Sequence, residues 1–306
     1  MRLLRFATND GPHLGALCRS DQTGDDSFIV DLTAADARFS DDPTKLLGAG
    51  DSAASAAQGV IDRAGKEHQL PLDGVQLLAP VSRPPRFMAI GFNYLGHNAD
   101  RGSKPPEFPL FFNKQNTALI GPNDDIVSPP STSMLDYEGE LVIMIGRRCR
   151  NVPPDAAHQV VAGVMVGNDV SARDWQRRSP TVTLGKSFDN TAPIGPWITT
   201  LDEVPDIHDL GIRTWVNGAL VQDGNTADMI TNCWEQVALL SSVFTLLPGD
   251  LISTGTPPGA AQQQQEPRWL KPGDRVRVAI EGLGELDNLV TLGNEDFFID
   301  DPLEWP

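Results

Sequence analysis

Long apolar runs are missing from this 306-residue chain. No stretch reaches the ~20 consecutive apolar residues of a membrane-spanning helix. The start, MRLLRFATNDG, lacks the apolar core of a secretory signal. Cysteine is scarce: Cys18, Cys149 and Cys233 are odd in number, and no two stand at CxxC spacing. That excludes a disulfide framework and a thiolate zinc site, and it implies a reducing compartment, for which the cytoplasm is the expectation. Basic residues are outnumbered 24 to 41, for a net charge of −17. Such a surface repels phosphate backbones, so nucleic acid is excluded as a partner. There is no GxGxxG fingerprint, no P-loop and no internal repeat, so no dinucleotide site or solenoid is expected.

What is present is a hydrophobic fraction of 40% with 28 glycines and 25 prolines, which suits a loop-rich body with a sizeable core. Residues 1–80 read as a small α+β domain, with short apolar runs at Arg2–Phe6 and Phe28–Leu32 and an Ala-rich helical stretch at Ser52–Ala64. Three prolines within Pro80–Pro85 mark a linker. From residue 83 to 306, strand-like runs recur at Phe87–Ile90, Leu110–Phe112, Leu141–Ile145, Val160–Val166, Ile212–Val216, Leu251–Ser253 and Val276–Ile280. Ile230–Leu247 is the best helix. The fold class is therefore α+β with a mainly β core.

The most informative segment is LDYEGELVIMIG, residues 135–146. Its apolar run is hydrophobic on both faces, as in a strand buried on both sides. Glu138 and Glu140 sit two apart, so a strand places both on one face, ~7 Å apart along the chain. Paired carboxylates leading into a buried strand repel each other and resist desolvation, and a hard divalent cation relieves both effects. Gly139 between them permits close approach of another chain or a ligand. A solvated strand end explains the pair equally well. A second apolar run, VMVGND, ends in Asp169. Three carboxylates without His or Cys suit Mg²⁺, Mn²⁺ or Ca²⁺ better than Zn²⁺.

An anionic ligand in so acidic a protein requires local cations. Arg173 follows Asp169 by four residues, in a polar run ending at Gln176, and Lys186 follows a glycine. A Gly-Thr-Pro turn presents Thr256 after the apolar run at 251–253. Alone, each is equally an ordinary ion pair or turn. His97 and Asp100 stand three apart in GFNYLGHNAD, where an acid can orient a general base. An isolated pair of this kind is more often a surface histidine beside a turn.

Taken in order, GFNYLGH, PLFFNKQNTALIGPNDDI, DYEGELVIMIGR, NDVSARDWQ, GKSFDNTAPIGPW and PGDLISTGTPPG resemble the fumarylacetoacetate hydrolase family over about residues 83–306. The resemblance implies that family's β-roll, usually a homodimer, with Mg²⁺ or Mn²⁺ held by Glu138, Glu140 and Asp169. It places Arg173, Gln176, Lys186 and Thr256 at substrate, with Lys186 also in the catalytic set, and His97 on a lid. Where relatives with a His–Glu dyad carry Glu, this chain has Asp100, one methylene shorter; Glu107 is the other acid nearby. The implied activity is hydrolysis of a C–C bond in a ketonic substrate, a 2,4-dioxo acid or acylpyruvate, through a pyruvate enolate. Oxaloacetate decarboxylation and isomerisation of an unsaturated 2-oxo acid are the rival chemistries, and a catalytically weak binding protein is the rival class. The substituent distal to the 2-oxo acid would meet the loops Asn98–Phe108 and Arg177–Thr183.

Overall fold

The computed structural model describes residues 1–19, 27–96 and 107–294. Its backbone is a long mixed sheet facing a shorter one, with few helices. The long sheet runs in the order Gln69–Pro71, Ser27–Asp31, Gly11–Arg19, Arg2–Thr8, Ala192–Thr200, Val161–Asn168, Gly139–Ile145, Leu251–Ser253, Phe87–Gly91, Leu110–Lys114. The second is five-stranded, from Ala219–Asn225 through Gly211–Val216, Arg275–Ile280 and Gly284–Leu292 to Ile126–Ser128. The fold is α+β and mostly β, as the strand-dense sequence predicts.

The strand Gly139–Ile145 lies near the middle of the long sheet and is buried throughout. Alternation sends its side chains to two different cores. Leu141, Ile143 and Ile145 join Val164, Val278 and Val290 between the sheets. Val142 and Met144 join Met165, Ile194 and Leu251 on the far face. Gly139 belongs to the inter-sheet series. A methyl group there would lie 2.4 Å from Thr214 Oγ1 and 2.9 Å from Val278 Cγ1. The close approach that this glycine permits is therefore made by the second sheet rather than by a ligand.

The seven strand-like runs all form strands, most lengthened by one or two residues at an end, while the run from Val160 begins one residue later, at Val161. The helix expected over Ile230–Leu247 is shorter, Cys233–Val243. Asn232 caps it in a reciprocal box with Glu235, and Phe244 turns extended. The nine-residue strand Ala192–Thr200 is legible only in three dimensions. Its sequence, APIGPWITT, carries two prolines, which argue against a central strand because each removes a ladder donor. Here Pro193 lies beside Ile120 in a short parallel pairing. The same strand receives the N-terminal strand through Arg2↔Thr199 and Leu3↔Ile198, so residues 2–78 extend the long sheet around their own apolar cluster of Leu3, Leu14, Val30, Leu46 and Val60. The cysteines are unpaired. No helix among the described residues is long and apolar enough to cross a membrane.

Candidate active site

Two adjacent antiparallel strands build the acidic centre. Gly139 pairs with Asn168 and Glu140 with Gly167, and the Asp169 N–H donates to Glu138 O at 2.8 Å. That register lays Asp169 beside Glu138 and Glu140. Carboxylate oxygens of the three lie within 4.8 Å of one another, and all three side chains are buried. Glu140 is fixed by the Ser253 hydroxyl and, at 2.9 Å, by the Gly255 N–H. Burial, followed by repulsion from Asp169 and Glu138, pushes the Glu140 carboxyl up to about 8. Nearby positive charge, from a cation or from basic side chains, favours ionisation of such buried acids.

Cations surround the acids. Arg173 donates from Nε to Asp136 Oδ2 at 2.9 Å, from Nη2 to Glu138 Oε1 at 2.6 Å and from Nη1 to Gln176 Oε1 at 2.9 Å. Lys186 donates to Glu138 Oε2 and, at 2.6 Å, to Asp169 Oδ2. Burial alone would lower Lys186, but Asp169 and Glu138 outweigh it and its ammonium is held above the usual value. Its turn, Thr183–Lys186, packs directly on the short helix Arg173–Gln176. Gly185 makes this possible, since a methyl group there would lie 2.3 Å from Gln176 N and 2.7 Å from Ala172 O.

Two participants escaped the sequence reading. Asp136 is fully buried and accepts from Tyr137 N, Ala261 N and Gln262 N as well as from Arg173. It stands two before Glu138, so the period-2 rule that paired the two glutamates also reaches it. Lys114 donates to Asp169 Oδ1 at 2.6 Å. Burial lowers its ammonium below the usual lysine range, more than Asp169 restores. Its signal was a lysine on the inward face of FFNK, alternating with Phe112.

Part of this set lines a cavity of about 220 Å³, with Asp136, Asp169 and Lys114 behind its wall. Glu138, Glu140, Arg173, Gln176, Lys186 and Thr256 face it from one side, and Phe92, Leu110, Phe112 and Val182 form apolar wall. The Thr256 hydroxyl donates to Gly139 O and accepts from Gln222, so it is engaged within the protein. His97 and Asp100 lie outside the described residues. Glu107 is exposed and does not line the cavity. Larger clefts, of about 1020 and 520 Å³, lie against N-terminal strands and N-terminal helices respectively and contain none of the buried acid cluster.

Residues 86–291 match the family model described as fumarylacetoacetate (FAA) hydrolase C-terminal. The chain belongs to the fumarylacetoacetate hydrolase family. It is an enzyme of that superfamily. The human protein named oxaloacetate tautomerase FAHD2A, mitochondrial, is 38% identical over 294 residues, covering 95% of this chain and 91% of that protein. A crystal structure of 2-hydroxyhepta-2,4-diene-1,7-dioate isomerase from Mycobacterium marinum is 34% identical, with a TM-score of 0.76 over 96% of this chain and 100% of that one. Maleylpyruvate hydrolase from Sphingobium sp. SYK-6, in complex with manganese(II) and pyruvate, is 32% identical, with a TM-score of 0.78 and the same coverage.

The expectation of a cytoplasmic protein is corrected by these relatives. The human, Xenopus laevis and Bos taurus proteins are named mitochondrial. Cysteine usage separates reducing from oxidising compartments, and it does not distinguish among reducing ones.

The acid centre fits a divalent cation on its own chemistry. Three buried carboxylate oxygens converge, burial and the neighbouring acids push the Glu140 carboxyl up, and the donor set is all oxygen. Glu138, Glu140 and Asp169 would hold it.

Proposed function

We propose that this enzyme interconverts the keto and enol forms of a small 2-oxo dicarboxylic acid of the oxaloacetate type, with Mg²⁺ or Mn²⁺ at the three carboxylates. The supporting observation is the combination of the 38% identity to a protein named oxaloacetate tautomerase with a cavity where acids and cations converge. This keto–enol interconversion is not among the chemistries expected from the sequence, but it lies nearer to the isomerase and oxaloacetate alternatives than to hydrolysis and has more support than hydrolysis. It breaks no C–C bond and requires no attacking water; a proton moves between C3 and the 2-oxo oxygen.

A bound divalent cation would polarise the 2-oxo group and so acidify the neighbouring C–H. The chain's residues supply the rest. Arg173 is fixed in direction by Asp136, Glu138 and Gln176 and presents positive charge to the cavity. Lys186 keeps its proton and, with two N–H donors on Glu138 and Asp169, offers its third to the enolate oxygen, stabilising charge that develops in the transition state. Phe92, Leu110 and Phe112 keep water from the carbanion-like centre. His97, supported by Asp100, is proposed as the group that carries the C3 proton, on the family resemblance.

The test follows enol oxaloacetate spectroscopically with each metal, alongside a coupled assay for pyruvate and a panel of acylpyruvates. Accelerated enol loss without pyruvate release supports tautomerisation. Pyruvate from oxaloacetate would mark a decarboxylase. Cleavage of acylpyruvates with no effect on oxaloacetate would restore the hydrolase reading, which the manganese- and pyruvate-bound maleylpyruvate hydrolase keeps as the second choice.

We also propose a homodimer. The edge strand Leu110–Lys114 follows the exposed Phe108, at 66%, which suits burial against a second copy. A monomeric mass by light scattering refutes it. Residues 1–80 are likewise proposed as a small domain preceding a catalytic domain at 83–306.

A further inference from the structure

The cations that line the cavity differ in what they are bound to. Arg173 is committed to Asp136 and Glu138, and Lys186 to Glu138 and Asp169. Arg177 lines the same cavity, yet among the described residues it has no carboxylate partner. Its guanidinium donates to Met134 Sδ, at 3.9 Å, and the side chain is exposed. In a protein with 41 acidic and 24 basic residues, a cation left without an acid beside a cavity is conspicuous. Its neighbour Arg178 is used differently, stacked 3.9 Å over the Trp175 ring.

The loop after Arg177 is shaped by internal bonds rather than left open. Val182 N–H donates to Ser179 O, and Gly185 N–H donates to Val182 O, both at 3.1 Å. Val182 is held at φ 54°, in the left-handed region that β-branched residues rarely enter. Such backbone conformations persist where the surrounding structure enforces them, and they cluster at ligand sites. Val182 lines the cavity with Arg177 and opens the turn that carries Lys186. One short stretch therefore sets both the buried ammonium and the unpartnered guanidinium around the same space.

We infer that Arg177 is a specificity-determining residue that recognises the distal carboxylate of the substrate, so that the site selects 2-oxo dicarboxylates over monocarboxylates. This rests on the proposed function and sharpens it. The buried acids and their cations meet the 2-oxo acid end, and the guanidinium at the rim supplies a planar fork for the second carboxylate.

The test is equilibrium binding of malate and lactate, two unreactive 2-hydroxy acids that differ by the distal carboxylate, to metal-loaded enzyme by calorimetry. Wild type should prefer malate about tenfold to hundredfold, the range for a hydrogen-bonded ion pair. Arg177→Gln should lose that preference with lactate binding unchanged, and Arg177→Lys should retain part of it. With oxaloacetate, R177Q should raise KM while kcat stays within about twofold, as for loss of uniform binding. The inference is overturned if wild type shows no malate preference, if R177Q keeps it, or if R177Q weakens malate and lactate alike. Absence of oxaloacetate tautomerisation by wild type would overturn the proposed function alone, because the malate preference is read at equilibrium.

Discussion

Glu140→Gln separates metal binding from folding. The Glu140 carboxyl is pushed up to about 8 by burial and by Asp169 and Glu138. At pH 7 without metal the carboxyl is therefore mostly protonated. Glutamine reproduces that neutral shape, and its oxygen can accept from Ser253 and Gly255 as Glu140 does. E140Q should change metal-free stability by under about 1 kcal/mol. The wild-type centre sets Asp136, Glu138, Glu140 and Asp169 against Arg173, Lys186 and Lys114, one negative charge in excess when all are ionised. Metal at a hundred times its dissociation constant should stabilise it by about 2.7 kcal/mol, a rise in Tm of about 4 °C for a chain of 306 residues. E140Q should lose nearly all of that rise. The sign with pH follows from the same carboxyl. Metal binds the ionised form and expels the proton. Affinity should thus climb about tenfold, or 1.4 kcal/mol, per pH unit up to about 8 and flatten above it. Differential scanning fluorimetry with Mg²⁺, Mn²⁺ or EDTA from pH 6 to 9 checks both expectations. A wild-type Tm indifferent to metal, or an E140Q protein still stabilised by it, refutes the assignment of Glu140 as a ligand.

Lys114→Met strips one oxygen of buried Asp169 of its ammonium, and breaking a buried pair should cost about 3 kcal/mol in urea unfolding; a loss below about 0.5 kcal/mol would show that Lys186 alone satisfies Asp169. His208 Nε2 accepts from Cys233 N–H at the start of the helix Cys233–Val243, and burial depresses its pKa below 6.5 despite nearby Asp206. With the folded value below the unfolded one, its contribution is full above about 6.5 and is lost as pH falls through the depressed value, where protonation removes the acceptor and puts positive charge at a helix N-terminus. Urea unfolding at pH 7.5 and 5 should show a smaller acid loss for His208→Gln than for wild type, and equal losses would exclude His208 as the cause.

How far the sequence reached is clearest at the acid centre. Period-2 alternation alone put Glu138 and Glu140 on one face, and the match of Asp169 to the end of a second apolar strand supplied the third acid. Those are local rules, valid wherever a strand forms. The same alternation could have yielded Asp136 and Lys114, but neither residue reveals its partner from spacing: Lys114 and Asp169 are 55 residues apart, and Asp136 and Arg173 are 37 apart. The proline-bearing strand Ala192–Thr200 was hidden because its central position depends on neighbours that propensity does not register.

By itself, then, the sequence determined the strand-dense fold class, the buried strand with its acid pair, and the family through ordered motifs. Only tertiary structure decided which cations meet which carboxylates, that Gly139 yields to the second sheet, that Thr256 is engaged within the protein, and that Arg177 stands beside the cavity without an acid among the described residues. The physical reason is that strand periodicity and turn chemistry are properties of neighbouring residues. Charge pairing, desolvation and cavity shape depend on register between distant strands, which packing of the whole core selects.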